Sequence, residues 1–278
     1  MKCKICGHAM IEYAQGTYYL EAGKLFSVPF YYCKNCNTFI RKVDMNSIFS
    51  HMNAASYTAI KNEEKFYKAR INFFKYIYSI VKKHAGSGMA NWLDFGSAYG
   101  HFIQFLSKEN IDTEGIEIAE QVREYARSKG QKIYETIDAV PSDKKYDVIS
   151  LIDSLYCSDE PVALVRKLFS MNKENGLLVL RITNRNWIAK FKKRILKKEI
   201  NLALGDATIS YSKKSVTLLL ENNGYKIVEI KTLEKGKSLP VKTKLFYIIT
   251  TILHFLSIGL ITLTPGLIIV AKKSSTEV

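Results

Sequence analysis

Apolar residues return at helical spacing between Asn62 and His84. Phe66, Ile71, Phe74, Ile77, Tyr78 and Val81 form one stripe, with charged residues between them. Asn62 is suited to cap this helix. Glu63 and Glu64 fit its positive end, and Lys82, Lys83 and His84 its negative end. The run Ala85-Gly86-Ser87-Gly88 stops it. Beyond it the pattern changes to short apolar runs alternating with amphipathic stretches. Strands are predicted at 90–95, 113–118, 146–152, 177–182, 225–233 and 266–271, and helices at 101–109, 119–129, 161–172 and 212–222. Such alternation implies an α/β fold built on a doubly wound, mostly parallel sheet.

Before the long helix the chemistry is different. Two Cys-x-x-Cys pairs, Cys3/Cys6 and Cys33/Cys36, stand 26 residues apart and bracket a strand-rich stretch (17–20 and 28–32). Each pair presents two sulfurs from one tight turn, and four thiolates complete a closed tetrahedral zinc site. A closed site leaves no position for water, so the expected role of the metal is structural. The chain then divides into a zinc-binding ribbon (1–42), a helical connector (43–85) and an α/β domain (86–278). That domain carries basic and apolar insertions at 184–210 and 241–264.

Charge refines this picture. The net charge is +15, but residues 184–278 hold 17 Lys and Arg against 6 Asp and Glu, a net of +11. A basic C-terminal third suits an anionic partner, either a phospholipid surface or nucleic acid. No apolar stretch follows Met1 to suggest a signal peptide, so a cytoplasmic site of action is expected. A reducing compartment favours metal ligation over disulfides for the clustered cysteines.

The central feature is Trp92-Leu93-Asp94-Phe95-Gly96-Ser97-Ala98-Tyr99-Gly100-His101-Phe102, a strand entering a glycine-containing turn and then a helix. A second acid, Glu117, ends the next predicted strand 23 residues after Asp94, where a carboxylate can accept hydrogen bonds from ribose hydroxyls. The turn lacks the Gly-x-Gly-x-x-Gly spacing of a pyrophosphate site. It resembles instead the Asp-x-Gly-x-Gly-x-Gly motif of class I S-adenosylmethionine-dependent methyltransferases, with Ala98 in place of the middle glycine. The segments 146–155 and 175–181 resemble that family's fourth and fifth strands. The resemblance implies a Rossmann-like sheet and an S-adenosylmethionine site. In it Asp94 orients the turn, and Gly96, Ser97 and Gly100 line the methionine and ribose. Glu117 binds the ribose hydroxyls, Ile118 packs on adenine, Asp138 lies by the adenine, and Asp153 sits where cofactor meets substrate.

The chain departs from the family in two places. Where many relatives carry Glu-His after the fourth strand, this chain has Tyr156 and Cys157. A later family histidine falls near Ala207. Asp153 and Tyr156 are therefore the substitute candidates for handling an acceptor proton. His101 follows the glycine turn and is placed to face the cofactor or simply to start a helix.

Two C-terminal segments bear on the partner. Residues 187–200 read as a basic amphipathic helix suited to an anionic membrane surface. Residues 245–263 hold no Lys, Arg, Asp or Glu, and are read as a substrate-covering or membrane-lying helical segment rather than a span. A zinc ribbon joined to this enzyme type resembles bacterial enzymes that methylate sugars of cell-surface polysaccharides, lipid-linked glycans or antibiotics. The resemblance thus implies a small-molecule or lipid-linked sugar acceptor and a peripheral position at the inner face of the cell membrane. The alternatives are an RNA methyltransferase that grips phosphates with the ribbon and basic surface, and a cofactor-binding scaffold without catalysis.

Overall fold

The computed structural model describes residues 1–19, 25–42, 63–200, 204, 207–232 and 241–274. The first part of the connector, residues 43–61, and the Asn62 cap lie outside the described residues. The described residues form two sheets. In the first, β1 (Ile11–Tyr19), β2 (Leu25–Cys33) and β3 (Thr38–Arg41) run antiparallel, with a bulge between Glu12 and Ala14. Both cysteine knuckles close in the same way. The amide of Gly7 donates to the carbonyl of Cys3, and that of Asn37 to Cys33, each at 2.9 Å. Gly7 and Asn37 take left-handed φ values of 72° and 58°, which suit glycine and asparagine.

The long helix α1 (Glu63–Ala85) leads into the main domain. There follow β4 (Asn91–Phe95), α2 (His101–Lys108), β5 (Asp112–Ile116), α3 (Glu120–Ser128), β6 (Lys132–Tyr134) and β7 (Tyr146–Ile152). Then come α4 (Pro161–Met171), β8 (Asn172–Thr183), α5 (Asn186–Arg194), β9 (Ile209–Ser210), α6 (Lys213–Glu221) and β10 (Tyr225–Lys231). The last elements are α7 (Val241–Leu256) and β11 (Gly266–Lys273). The main sheet has the order β10-β11-β8-β7-β4-β5-β6. The neighbouring strands from β8 to β6 are parallel, and β11 is antiparallel to both β8 and β10. The α/β class expected from the sequence is the one observed.

Both faces of this sheet are covered, which explains its continuous apolar runs. Strand alternation divides them cleanly. Leu178, Leu180, Leu267 and Ile269 enter the core beneath α4 and α6. Leu177, Val179, Ile268 and Val270 enter the core beneath α1 and α2. Helix α1 supplies Phe73, Phe74, Ile77, Ile80 and Val81 to that second core.

Four features differ from expectation. Strand β6 belongs to the sheet although its three residues carry too short a pattern to stand out. Strand β9 pairs with β3, so a segment near position 210 completes the ribbon's sheet. Helix α5 stops at Arg194, where Lys193/Lys197 and Arg194/Lys198 would set like charges one turn apart. Helix α7 covers only part of 245–263. It ends at Leu256, where Ile258 and Gly259 turn left-handed and the Gly259 amide returns to the His254 carbonyl at 2.8 Å.

Candidate functional site

The chain reverses side between β6 and β7, so the carboxyl ends of β4 and β7 flank a crevice where open α/β sheets bind ligands. A cavity of 970 Å³ lies at that edge, at the upper end of the range for small-molecule sites. Its floor is the turn after β4. The amides of Gly96 and Ser97 both donate to the Ile116 carbonyl, at 2.8 and 3.0 Å, which ties the turn to the end of β5. Gly96 has φ 77°, and a Cβ there would lie 2.5 Å from Ser154 Cβ. Only glycine fits both constraints.

Asp94 is buried below this turn. The Trp92 indole donates to Ser150 Oγ at 2.8 Å, and Ser150 Oγ donates to Asp94 Oδ1 at 2.6 Å. Burial pushes the Asp94 carboxyl up to about 7; the Ser150 hydrogen bond opposes this and the charge of Glu117 adds to it. From its ordinary value of 3.8 up to about 7, the unfolded chain releases this proton and the folded chain keeps it. Asp94 therefore costs stability progressively as pH rises through that window. Asp94→Asn is expected to unfold at a higher temperature than the parent at pH 8, with the gap closing toward pH 4. Thermal melts at the two pH values check this, and an equal gap at both would contradict it.

Glu117 locks the turn from the other side. Its two carboxylate oxygens accept from the Ala98 and Ala119 amides, each at 2.8 Å. Burial raises its pKa against the pull of those amides. Arg123 donates to the carbonyls of Glu117 and Ile118, at 3.0 and 3.1 Å, and so holds the strand end. Ala98 has φ 48°, a left-handed conformation that costs an L-residue about 1–2 kcal/mol. The Glu117 hydrogen bond helps to hold it there.

The four-cysteine cluster is separate. Cys3, Cys6, Cys33 and Cys36 bring four Sγ atoms within 4.8 Å of one another, with Cys3–Cys36 and Cys6–Cys33 at 3.5 Å. Sulfurs bound to one zinc at about 2.3 Å stand about 3.8 Å apart in a tetrahedron, so this set fits the ion. Cys3, Cys33 and Cys36 are buried, and no described histidine or carboxylate joins the cluster.

The model of a family described as a methyltransferase domain matches residues 61–230, more than half of the chain. The chain belongs to this family of methyltransferases. No curated protein matches it by sequence. Among solved structures, the plantazolicin methyltransferase BpumL in complex with SAH is 18% identical, with a TM-score of 0.52 over 83% of this chain and 89% of that one. The magnesium protoporphyrin IX methyltransferase ChlM from Synechocystis PCC 6803 with bound SAH is 15% identical. Its TM-score is 0.54 over 84% of this chain and 100% of that one. At these identities the likeness is one of fold.

In this methyltransferase, the cavity wall includes Asp94, Gly96, Ser97, Glu117, Ile118, Asp138, Asp153 and Tyr156. Gly100 precedes α2 with φ 70°, and the Gln131 carboxamide donates to its carbonyl at 3.0 Å. Ile118 is 36% exposed on the wall, an apolar surface open to a flat ligand. Asp138 lies in a short turn and is ion-paired with Lys167 at 3.2 Å. Asp153 takes φ 61° and is ion-paired with the buried Arg181. Tyr156 is half-buried, and its carbonyl accepts from Thr208 Oγ1 at 2.5 Å.

Other side chains complete the wall. His101, which the sequence leaves between two roles, is buried there against Phe66, Tyr67 and Tyr99, with ring centroids 5.4, 5.9 and 6.0 Å away. Arg70, outside the predicted set, enters from α1 and stacks on Phe66 at 4.6 Å. A signal for it exists, since Phe66, Arg70 and Phe74 recur every four residues and so share one helix face. The Arg181–Asp153 pair has no local signal, because its members are 28 residues apart in the chain.

Proposed function

We propose that this methyltransferase takes its methyl group from S-adenosylmethionine and delivers it to a hydroxyl of a sugar or a lipid-linked cell-envelope glycan precursor. The observation that carries the donor is the turn after β4, which Glu117 holds at the floor of the cavity. Of the seven acidic side chains on the wall, Glu135, Asp138, Asp153, Asp159 and Glu160 are ion-paired with Arg123, Lys167, Arg181 and Lys4, and burial raises the pKa of Asp94 and Glu117. Ser97 Oγ and the Tyr99 hydroxyl are buried on this wall without a hydrogen-bond partner among the described residues, and so stand ready for a polar ligand.

In this reading Asp94, Gly96, Ser97, Gly100, Glu117, Ile118, Asp138 and Asp153 would hold the donor. The donor supplies an activated methyl group on a sulfonium. The chain's task is then to orient the acceptor and to deal with its proton. Tyr156 and Asp153 are proposed for that role, with Arg181 fixing the Asp153 carboxylate. Zinc bound by Cys3, Cys6, Cys33 and Cys36 would be structural, and residues 1–42 would serve as the ribbon that braces the domain beginning at 86. A lipid-borne acceptor would bring the enzyme to the inner face of the cell membrane.

The test uses donor with a labelled methyl group, offered with lipid-linked glycan extracts, soluble sugars and RNA. Label is expected in a sugar hydroxyl of the glycan fraction, and Tyr156→Phe is expected to lower kcat by roughly a hundredfold with donor affinity unchanged. Label found in RNA alone would overturn the acceptor assignment. Donor binding without transfer to any acceptor would favour a scaffold.

A further inference from the structure

Helix α7 is amphipathic in the reverse of the usual sense. A helix on a water-soluble domain turns its apolar side chains inward and its polar ones out. Here Tyr247 and Thr250 are the buried positions, with Thr251 and His254 half-buried on the same side. Leu245, Ile248, Ile249, Ile252 and Phe255 face outward, Phe255 at 73% exposure. The following turn continues the pattern, with Ile258 and Leu260 about nine-tenths exposed at 92% and 89%. Exposing one such side chain is ordinary, but a continuous row of them marks a surface made for another phase or partner.

Helix α5 extends this surface. The Trp187 ring stacks on Phe246, with centroids 6.0 Å apart and planes 20° apart. Phe191, Ile195 and Leu196 on the same helix and its end are exposed. Around them Lys193, Arg194, Lys197 and Lys198 are also exposed. The segment is seated on the domain by polar contacts. Asn184 Nδ2 donates to the Thr262 and Thr264 carbonyls at 3.1 and 3.0 Å, and Lys213 Nζ to the Gly259 carbonyl at 2.9 Å.

Its position follows from the sheet. Strand β11 begins at Gly266 beside Thr183, the last residue of β8. The segment therefore leaves the sheet at its carboxyl edge, the edge that holds the cavity. At 16 residues α7 is about 24 Å long, against about 30 Å of hydrocarbon, and no helix among the described residues is long and apolar enough to span a membrane.

We propose that α7, the turn after it and α5 form one docking surface for an anionic phospholipid bilayer. The outward apolar side chains enter the headgroup boundary, and the four basic residues of the α5 end meet lipid phosphates. The basic rim selects this occupant, because a second copy of the chain would set like charges against one another. Docked in this way, the cavity edge of the sheet faces the bilayer. The docking surface is defined by exposed side chains only and is independent of the acceptor proposed above.

The test is flotation of the full-length, zinc-loaded protein with vesicles, read without any methyl transfer. Binding is expected to vesicles of equal parts phosphatidylglycerol and phosphatidylcholine. It should be at least about tenfold weaker to phosphatidylcholine alone, and weaker again in high salt. The double variant Ile252→Glu/Phe255→Glu should lose at least about tenfold in vesicle binding while keeping its unfolding temperature, since both side chains are exposed in the parent. Three results would overturn the proposal. These are parent protein that stays with the soluble fraction at low salt, a double variant that floats as well as the parent, and a parent dimer that the double variant dissolves while vesicles are ignored.

Discussion

Gly96→Ala is expected to lose about a hundredfold or more in affinity for S-adenosylhomocysteine while its ribbon stays folded. Two separate costs fall on this position. The left-handed φ of 77° costs an L-residue about 1–2 kcal/mol. The new Cβ would also stand 2.5 Å from Ser154 Cβ, an overlap of the kind that costs about 1–3 kcal/mol to relieve. Ser154 cannot swing away freely, because its hydroxyl donates to the Phe95 carbonyl at 2.6 Å. Relief must come from moving the turn or the loop after β7, and the proposed site is made of both. About 3 kcal/mol taken from the bound state corresponds to roughly a hundredfold in affinity. Calorimetric titration of the variant and the parent measures it, with metal content confirming the ribbon. Equal affinity in the two proteins would sink the assignment of this turn to the donor.

Cys33→Ser should have the larger effect on folding. Cys33 is fully buried, and its sulfur lies 3.5 Å from that of Cys6 at the centre of the four-sulfur cluster. In a small metal module the free energy of metal binding is largely the free energy of folding, so a lost ligand unravels the unit. The damage should reach the cavity. Lys4 on the first knuckle is ion-paired with Glu160 at 3.1 Å, β9 pairs with β3, and Ser212 Oγ donates to the Cys36 carbonyl at 3.0 Å. Thr208, next to β9, holds the carbonyl of Tyr156. The variant is therefore expected to lose its equivalent of zinc and about 3 kcal/mol or more of stability. It should also lose methyl transfer, although Cys33 lies off the cavity wall. Metal analysis and thermal unfolding check this, and a variant that keeps one full equivalent of metal would contradict the site.

Features that depend on neighbours along the chain are legible in the amino-acid sequence. The Asp94–Gly100 turn, the paired cysteine knuckles and the strand–helix alternation are all local patterns, and the last of these sets the α/β class. Features that depend on contacts between distant residues are not. Nothing near Ile209 and Ser210 announces that these two residues complete the sheet of a ribbon about 170 positions earlier. The reversed direction of β11 leaves no mark on its apolar run, because strands buried on both faces read alike in either direction. Residues 245–263 stand out by their absence of charge, but only the fold reveals that α7 turns its threonines inward and its isoleucines out.

The most direct test of the central claim is a calorimetric titration of the folded, zinc-loaded methyltransferase with S-adenosylmethionine and S-adenosylhomocysteine. One site per chain, shared competitively by the two ligands, is the predicted result. No binding of either ligand by protein shown to be folded would contradict the claim that this cavity holds the methyl donor.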